Sequence, residues 1–289
     1  MIVFPNAKIN LGLNVLRKRE DGFHDLETLF YPVPLCDVLE IVIVKKNSSG
    51  KNDNIIQIET YSGFTISYSS SGLPVSGDTE NNLCIRACLA YDKNFGLPGD
   101  VAIHLHKVIP MGAGLGGGSS DAAYTLNVLN QLAGLRATES ELLKLAAELG
   151  SDCSFFIRNT PAFAQGRGEL LNASTISLAG FHLVIIMPDI HVGTAAAFNG
   201  ITPRLPVERI EELTKMDVTS WKDRLVNDFE HSIFSNNPEI AFIKAQLYEL
   251  GAVYASMTGS GAAVYGLFKK SLPDENFNKN YFYFSCVLK

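Results

Sequence analysis

The sequence predicts an α+β fold with mostly antiparallel strands, and three features of the chain support this prediction. Short runs of alternating or continuous apolar residues, which are typical of strands, recur from the N-terminus to the C-terminus. Longer amphipathic segments, which are typical of helices, lie in the middle and in the second half of the chain. The 289 residues, 46% of them hydrophobic, are enough for one large domain or for two modest domains that share a cleft.

The N-terminal third predicts strands joined by polar loops. The opening segment MIVFPNAKIN has the apolar content of a strand. Residues 45–54 are polar and lie between two apolar runs, which predicts a hairpin loop. Residues 55–68 alternate like a strand at a sheet edge, and residues 69–82 form a second loose segment.

The middle of the chain predicts a strand, a glycine-rich loop and two helices. Residues 101–109 alternate between apolar and polar side chains, as a strand does. After the glycines, an apolar stripe predicts a helix from residue 121 to about residue 133. Thr138 and Glu141 have the spacing of a capping box for the next helix, which Gly150 ends.

The pattern changes after Pro161, and we place a domain boundary near residue 160. The predicted domains are therefore residues 1–159 and 160–289. In the second domain, strands are predicted at residues 183–187, 254–258, 262–267 and 281–288, and helices at residues 207–216 and 238–250.

The charge balance argues against two classes of partner. The chain has 24 Lys and Arg residues against 30 Asp and Glu residues, whereas binding to nucleic acid or to a membrane surface needs basic patches. We therefore expect no nucleic-acid partner and no membrane partner. The chain also lacks a run of about 18 apolar residues, and its N-terminus lacks the basic and apolar regions of a secretory signal.

The five cysteines predict a reducing, cytoplasmic location, because their number is odd and no CxxC pair occurs. Cys84 and Cys88 lie four residues apart in a predicted helix and could share a metal ion. No pair of His or Cys residues follows at zinc-finger spacing, so buried thiols are expected instead.

The most informative segment is MGAGLGGGSS at residues 111–120, which has five glycines in ten residues between a predicted strand and a predicted helix. Glycine allows positive φ and a close approach of the backbone to an anion. Successive N–H groups and the positive end of the helix dipole then attract phosphate. Ser119, Ser120 and Asp121 are good N-cap residues for the helix. This pattern predicts a phosphate-binding loop.

Other interpretations of this loop are weaker. Gly112, Gly114 and Gly117 match the dinucleotide fingerprint, but no acidic residue ends a second strand about 20 residues later. A Walker A loop needs a lysine where Gly118 stands. Protein-kinase signatures such as HRD and DFG are missing from the sequence. A tight turn without a ligand seldom needs so many glycines and two serines.

Three segments resemble the motifs of the GHMP kinases, a family that includes galactokinase, homoserine kinase and mevalonate kinase. PMGAGLGGGSSDAA resembles their phosphate-binding motif, PNAKINLGLNV their first motif, and MTGSGAA at residues 257–263 their third. The three occur in the family's order over nearly the whole chain. The resemblance implies a two-domain GHMP kinase fold with the active site in the cleft between the domains. It also implies ATP and Mg²⁺ as cofactors and phosphorylation of a small alcohol.

Further segments resemble one branch of this family, which phosphorylates the 2-hydroxyl of a cytidine diphosphate alcohol. They are KREDGFHDLETLF at residues 18–30, GSDCSFF at residues 150–156 and AFAQGRGELL at residues 162–171. The implied partner is therefore a small-molecule substrate. Phe23 stands where this branch usually has tyrosine, which keeps a ring for stacking and removes the phenol hydrogen bond.

Lys8 and Asp152 match the catalytic pair of the family. Such a pair suits phosphoryl transfer, in which positioning and charge stabilisation dominate. Asp152 would accept the proton of the attacking hydroxyl. Lys8 would keep Asp152 ionised and would stabilise charge on the γ-phosphate. Outside these motifs, each residue would more often belong to a surface ion pair or a loop.

The nucleotide is expected to contact two groups of residues. Asn82 and Lys107 match positions near the base, although Asn82 could simply cap a helix and Lys107 could be an exposed strand residue. The other group is the glycine loop, namely Pro110, Met111, Gly112, Ala113, Gly114, Leu115, Gly116, Gly117, Gly118, Ser119 and Ser120. The residues that hold Mg²⁺ are not identified by the resemblance.

The residues expected to bind the substrate are Asn10, Phe23, His24, Tyr31 and Thr194. Asn10 lies two residues after Lys8 on one strand, so both side chains face the same side. His24 matches a residue that reads cytosine, while Phe23 and Tyr31 would offer aromatic faces. The structural alternatives are a strand-end amide for Asn10, a structural histidine for His24 and a helix N-cap for Thr194.

Three alternative functions stay open. Another small-alcohol kinase of the family, of the homoserine or mevalonate type, would have no cytosine to recognise, which the GFH segment argues against. A catalytically inactive binding protein is disfavoured because Lys8, Asp152 and the glycine loop are intact. A dinucleotide-dependent oxidoreductase is the third, and it would have to bind NAD.

Overall fold

The computed structural model describes residues 1–44, 55–271 and 277–289, and the hairpin loop predicted at residues 45–54 lies outside them. The strands are β1 (Ile2–Val3), β2 (Asn6–Lys18), β3 (His24–Cys36), β4 (Val38–Val44), β5 (Ile56–Glu59), β6 (Thr65–Gly72), β7 (Asp100–Lys107), β8 (Ala162–Gly166), β9 (Leu170–Ala173), β10 (His182–Met187), β11 (Tyr254–Met257), β12 (Val264–Phe268) and β13 (Phe282–Val287). The α-helices are α1 (Leu83–Phe95), α2 (Gly117–Leu132), α3 (Glu139–Leu149), α4 (Cys153–Arg158), α5 (Thr194–Asn199), α6 (Ile210–Leu213), α7 (Phe229–Asn236) and α8 (Pro238–Glu249). None of the helices in the described ranges has the length and apolarity that a membrane span requires.

The described chain divides into two compact units. Unit 1 comprises residues 1–7, 35–111 and 116–159, and unit 2 comprises residues 8–34, 112–115 and 160–289. The chain passes from unit 1 to unit 2 for the last time after residue 159, where the domain boundary was predicted. Residues 8–34 and 112–115 nevertheless group with unit 2, so the division into residues 1–159 and 160–289 stays a prediction.

Unit 1 is built on a sheet with the strand order β1-β4-β7-β6-β5. Its strand pairs are antiparallel except for β6 and β7, which run parallel. Val101, Ile103 and Leu105 of β7 share one buried cluster with residues of helices α1, α2 and α3. His104 and His106 occupy the opposite face of β7 and form hydrogen bonds with serines of β6. The predicted alternation therefore places this sheet between a helical layer and a polar face.

Unit 2 contains two four-stranded sheets, with the orders β11-β12-β10-β13 and β2-β3-β8-β9. Strand β10 pairs on both sides, with β12 and β13, and its residues 183–186 are buried. That position explains the continuous apolar run in the sequence, because a central strand covered by other elements needs no polar face. Helices α7 and α8 contribute Phe229 and Ile240 to the same core cluster as Val184 and Val264. Together the two units confirm the predicted α+β class.

Helix α2 begins at Gly117, four residues before the start predicted at residue 121. Its N-cap is Gly116, whose backbone is left-handed, and no side chain caps it. The prediction that Ser119, Ser120 or Asp121 caps this helix is therefore wrong, because all three lie inside it. The left-handed turn at Gly116 starts the helix earlier than the side-chain signals suggest.

Two other helices test the capping signals of the sequence. The capping box of Thr138 and Glu141 and the C-cap at Gly150 are confirmed for α3. The helix predicted at residues 207–216 is reduced to the four residues of α6. Its start is set by Glu27, whose carboxylate accepts a hydrogen bond from the N–H of Ile210 at 2.9 Å. This partner is distant in sequence, so no local signal announces it.

Candidate active site

The glycine loop leads from β7 into α2 with a backbone that glycine adopts most easily. Gly112, Gly114 and Gly116 have φ values of 67°, 75° and 72°. Because no side chain caps α2, the first N–H groups of this helix are available to a ligand. These groups and the helix dipole favour an anion at this end of the helix. The loop therefore has the conformation that a phosphate-binding site needs.

Two glycines of the loop are also required by packing. A Cβ atom on Gly114 would lie 2.0 Å from the carbonyl oxygen of Thr258. A Cβ atom on Gly117 would lie 2.9 Å from Cγ2 of Ile109 and 3.0 Å from Nζ of Lys107. Substitution of either glycine would thus disturb the protein before any ligand is considered.

A cavity of about 310 Å³ adjoins the start of α2 within unit 1. Asn82 and Lys107, which the sequence places near the nucleotide base, both line it, and so do Cys84 and Gly118. A Cβ atom on Gly118 would meet its nearest neighbour, Cδ1 of Leu83, at 3.6 Å, which is an ordinary contact. Gly118 is therefore the loop glycine at which an added methyl group changes the ligand space more than the packing.

Lys107 is buried on the wall of this cavity, with 2% of its surface exposed. Its ammonium forms ion pairs with the buried carboxylates of Asp37 and Asp121, the latter at 2.7 Å. The interpretation of Lys107 as an exposed strand residue is therefore wrong. Asp37 also accepts hydrogen bonds from the N–H groups of Val108 and Ile109, at 2.6 and 2.8 Å. The three side chains hold the end of β7 against α2, on either side of the glycine loop.

Asp121 shares the ammonium of Lys107 with Asp37, so two buried carboxylates lie beside one positive charge. Its Oδ1 atom is buried and has no hydrogen-bond partner among the described residues. Burial raises the pKa of the Asp121 carboxyl to about 7, the charge of Lys107 opposes this rise, and the charge of Asp37 adds to it. Sequence reasoning missed Asp37 altogether, because it stands between two strands without any motif around it.

Asn82 caps helix α1, as the structural alternative predicts. Its Oδ1 atom accepts hydrogen bonds from the N–H groups of Cys84 and Ile85, at 3.0 and 3.3 Å. The same side chain lines the cavity. A contact with the base therefore stays a prediction for Asn82, alongside its role in the helix.

Lys8 and Asn10 lie on β2 and are almost completely buried, with 2% and 1% of their surfaces exposed. Their side chains face the same side, and Nζ of Lys8 donates a hydrogen bond to Oδ1 of Asn10 at 2.5 Å. The ammonium also lies 5.0 Å from the centre of the Phe30 ring. At its other end, the Asn10 amide donates to Oγ1 of Thr28 at 2.9 Å. The predicted contact of Asn10 with the substrate therefore competes with bonds inside the protein.

Asp152 immediately precedes helix α4 in unit 1 and is half-buried, whereas Lys8 belongs to unit 2. Its carboxylate does not cap α4. The neighbouring Cys153 is buried, and burial raises the pKa of its thiol to about 12, so it stays protonated near neutral pH. The catalytic pairing of Asp152 with Lys8 stays a prediction.

The residues expected to meet cytosine lie among aromatic rings in unit 2. His24 stacks on Phe198, with the ring centres 4.7 Å apart and the planes 15° apart. Burial, followed by the charge of Lys18, lowers the pKa of His24, which favours the neutral imidazole. Phe23 is 53% exposed, and the guanidinium of Arg167 lies 4.8 Å from its ring centre. Sequence reasoning missed Phe198, although it lies four residues after Thr194 on α5.

The remaining two predicted substrate residues differ in their surroundings. Thr194 is the first residue of α5, and Gly193 is its N-cap, so the interpretation of Thr194 as a helix N-cap is wrong. Its hydroxyl lies 3.3 Å from that of Ser260, in the third glycine motif. Tyr31 is buried, and its hydroxyl accepts a hydrogen bond from the N–H of Leu178. Tyr31 thus has a structural role, and its contact with the substrate stays a prediction.

Metal ligands are not evident in the described part of the chain. Within residues 1–44, 55–271 and 277–289, no group of three or more His, Cys, Asp and Glu side chains is arranged to hold a metal ion. Cys84 and Cys88 are buried thiols, as expected, and burial raises the pKa of both.

Two family profiles match the chain. The profile of the N-terminal domain of GHMP kinases matches residues 82–166, and that of their C-terminal domain matches residues 205–280. Among solved structures, a crystal structure of 4-(cytidine 5'-diphospho)-2C-methyl-D-erythritol kinase is 33% identical, covers 92% of this chain and 90% of its own, and has a TM-score of 0.73. A mevalonate kinase is only 14% identical but has a TM-score of 0.67 over 100% of this chain and 99% of its own, which shows the same fold.

Curated relatives match over nearly their whole length. The 4-diphosphocytidyl-2-C-methyl-D-erythritol kinase of Bacteroides thetaiotaomicron is 48% identical over 98% of this chain and 98% of its own. The kinase of the same name from Cytophaga hutchinsonii is 41% identical over 97% of this chain and 96% of its own. The chain therefore belongs to the GHMP kinase family, in the group of the 4-diphosphocytidyl-2-C-methyl-D-erythritol kinases.

Proposed function

We propose that this chain transfers the γ-phosphoryl group of ATP to the 2-hydroxyl of 4-diphosphocytidyl-2-C-methyl-D-erythritol, in the non-mevalonate route to isoprenoids. The observation that carries the proposal is 48% identity over 98% of the length of a relative of that name. Net charge and cysteine content support a cytoplasmic location without nucleic-acid or membrane partners.

ATP is proposed to bind at the glycine loop, residues 110–120, with Asn82 and Lys107 near the base. The uncapped start of α2 supports this placement, because its N–H groups and dipole can hold phosphate oxygens. Lys107 would approach the base by its carbon stem, since its ammonium is engaged by Asp37 and Asp121. Mg²⁺ in kinases is bound by one or two protein ligands and largely by phosphate oxygens, and it neutralises charge on them when bound.

Lys8 and Asp152 are proposed as the catalytic residues. Asp152 accepts the proton of the substrate's 2-hydroxyl. The oxygen of that hydroxyl forms a bond to the γ-phosphorus at the same time. The bond from that phosphorus to the β–γ bridging oxygen breaks at the same time, and ADP leaves. Lys8 stabilises the negative charge on the transferred group.

The cytidine end of the substrate is proposed to meet Phe23, His24 and Phe198. A pyrimidine has a flat face for a ring to cover and a polar edge for a neutral imidazole to recognise. The stacked pair of His24 and Phe198 supports this role, since the stacking fixes the imidazole plane. Asn10, Thr194 and Tyr31 remain candidates for contacts with the rest of the substrate.

The test of the whole proposal is an assay of ADP release with four acceptors: the diphosphocytidyl alcohol, mevalonate, homoserine and galactose. We expect the diphosphocytidyl alcohol to have the highest kcat/KM, with activity that requires Mg²⁺. Faster turnover of mevalonate or homoserine at equal concentration would replace the proposed acceptor and leave the kinase family intact.

The cytidine contact has its own test in His24→Ala. Loss of one hydrogen bond to the base should lower kcat/KM for the cytidine substrate by about tenfold to a hundredfold. The preference over the uridine analogue should narrow, because an unpaired polar group in the site is what rejects the wrong base. The affinity for ATP should not change. An unchanged ratio of cytidine to uridine would make His24 a structural histidine.

A further inference from the structure

We propose that Asn10 and Thr258 are positioning residues, which hold the ammonium of Lys8 in place for phosphoryl transfer. This inference rests on the proposed catalytic role of Lys8. It gives Asn10 a task different from the substrate contact expected from the sequence. All the contacts that carry it lie within unit 2.

The amide of Asn10 is held at both ends. Its Oδ1 atom accepts hydrogen bonds from Nζ of Lys8 at 2.5 Å and from the N–H of Gly259 at 3.0 Å. Its Nδ2 atom donates to Oγ1 of Thr28 at 2.9 Å, and that hydroxyl in turn donates to the carbonyl of Gly12 at 2.6 Å. An amide with these partners cannot flip without losing bonds at both ends, so the position of its oxygen is fixed.

Thr258 connects this amide to two glycine motifs. Its hydroxyl accepts a hydrogen bond from the backbone N–H of Asn10 at 3.1 Å. It lies 3.1 Å from Oδ1 of Asn10 and 3.1 Å from the carbonyl oxygen of Gly114, and it can donate to either. The side chain is fully buried. One hydroxyl therefore joins strand β2, the glycine loop and the turn that follows β11.

A lysine ammonium needs such support because its four-carbon stem is flexible and loses rotamer entropy when it is ordered. Asn10 orders it with a neutral oxygen, which adds no negative charge beside the ammonium. An aspartate at this position would have the same shape, would lack the Nδ2 donor to Thr28, and would offset part of the charge that Lys8 presents to a phosphate. A positioning residue for Lys8 must fix the ammonium without offsetting its positive charge. The neutral amide of Asn10 meets both requirements.

The central test compares Thr258→Val, which removes the hydroxyl and keeps the shape, with Thr258→Ser, which keeps the hydroxyl. We expect Thr258→Val to lower kcat by about tenfold to a hundredfold, as misplacement of a catalytic group by about 1 Å does. The KM values for ATP and the acceptor should stay within about threefold of wild type, and Thr258→Ser should retain most activity. In a Lys8→Ala background, Thr258→Val should cause little additional loss, because both changes act through one ammonium.

Three outcomes would overturn the inference: an unchanged kcat in Thr258→Val, equal losses in the two Thr258 variants, or an undiminished effect in the Lys8→Ala background. A raised KM for ATP at constant kcat would also overturn it, since the hydroxyl would then serve Gly114 alone. If Thr258→Val does not fold by its melting curve, Asn10→Asp takes its place. That variant keeps the shape of the side chain and adds a negative charge beside Lys8, so we expect kcat to fall by about tenfold or more. An unchanged kcat would overturn the inference.

The outcome is separable from the function proposed above. The comparison uses whichever acceptor wild type turns over fastest, so a wrong acceptor does not affect it. Normal turnover in Lys8→Ala would remove the catalytic role of Lys8 itself. If Lys8→Ala turns over slowly while Thr258→Val is fully active, only the positioning role of Asn10 and Thr258 is removed.

Discussion

Lys8 and Lys107 are two lysines with the same exposure, 2%, and with different neighbours. In unit 2, Nζ of Lys8 donates to the neutral amide of Asn10 and lies near the ring of Phe30. In unit 1, the ammonium of Lys107 lies between the carboxylates of Asp37 and Asp121. The contrast shows that two lysines of equal burial can have different neighbours, among them a neutral amide and an aromatic ring at Lys8 and two carboxylates at Lys107.

The largest expected difference comes from making the same substitution at both sites. Lys8→Met should lower kcat by about 10²- to 10⁴-fold while the protein keeps its melting temperature. Lys107→Met leaves two buried carboxylates without their cation, which should reduce the free energy of unfolding by about 3–5 kcal/mol. Chemical denaturation and steady-state kinetics of the two variants measure both effects. A stable Lys107→Met with weak ATP binding would contradict the structural role given to Lys107.

The catalytic side of the comparison is sharpened by Asp152→Asn. Removal of a positioned base should lower kcat by about 10²- to 10⁴-fold, with ATP affinity measured by calorimetry unchanged. The double variant with Lys8→Ala should lose far less than the product of the two single losses, because the two residues act as a unit. Near-normal kcat in Asp152→Asn would end the role proposed for this carboxylate.

The structural side is sharpened by two glycines of the loop next to Lys107. Gly118→Ala adds a methyl group toward the cavity and should weaken ATP binding by about tenfold, which corresponds to about 1.4 kcal/mol. Gly117→Ala pushes instead on Ile109 and Lys107 and should lower the free energy of unfolding by about 1–3 kcal/mol. Calorimetry with ATP and melting curves separate the two effects. Equal destabilisation by both variants would show that the cavity side of the loop is not open to a ligand.

A separate pH dependence, which Asp121→Asn removes, tests the charges around Lys107. Because burial raises the pKa of Asp121 above its unfolded value of 3.8 to about 7, the folded state binds more protons between these values. The free energy of unfolding of wild type therefore falls as pH rises through this range. Asp121→Asn cannot titrate, so its stability relative to wild type should increase from pH 5 to pH 8. A constant difference across that range would show that Asp121 stays ionised throughout.

The burial of Lys107 could have been predicted, because Lys107 lies on the same face of β7 as Val101, Ile103 and Leu105. Its partners could not, since Asp37 and Asp121 are 70 and 14 residues away and carry no local signal. The two-residue spacing of Lys8 and Asn10 on one strand correctly predicted that both side chains lie on the same face. The sequence thus indicates which face of a strand a residue takes, while the charges it meets there depend on distant segments.

The motifs identified the family correctly, whereas the geometry of the segments that carry them needed the structure. Gly116 starts α2 through a left-handed backbone, whereas three N-cap residues after it suggested a later start. Phe198 lies in a segment that the sequence had marked only for Thr194, because stacking on His24 depends on contacts between β3 and α5. Backbone conformation at glycine and long-range ring contacts are therefore two further features that local patterns do not encode.

The thiol of Cys84 on the cavity wall has a consequence for the chemistry of inhibitors. Burial raises the pKa of this thiol far above its usual range, and Asp121 adds to the rise, so the nucleophilic thiolate is scarce at neutral pH. Electrophilic compounds that enter the cavity should therefore leave Cys84 unlabelled in the folded protein. Molecules aimed at this cavity would have to gain residence time from shape and hydrogen bonding rather than from a covalent bond.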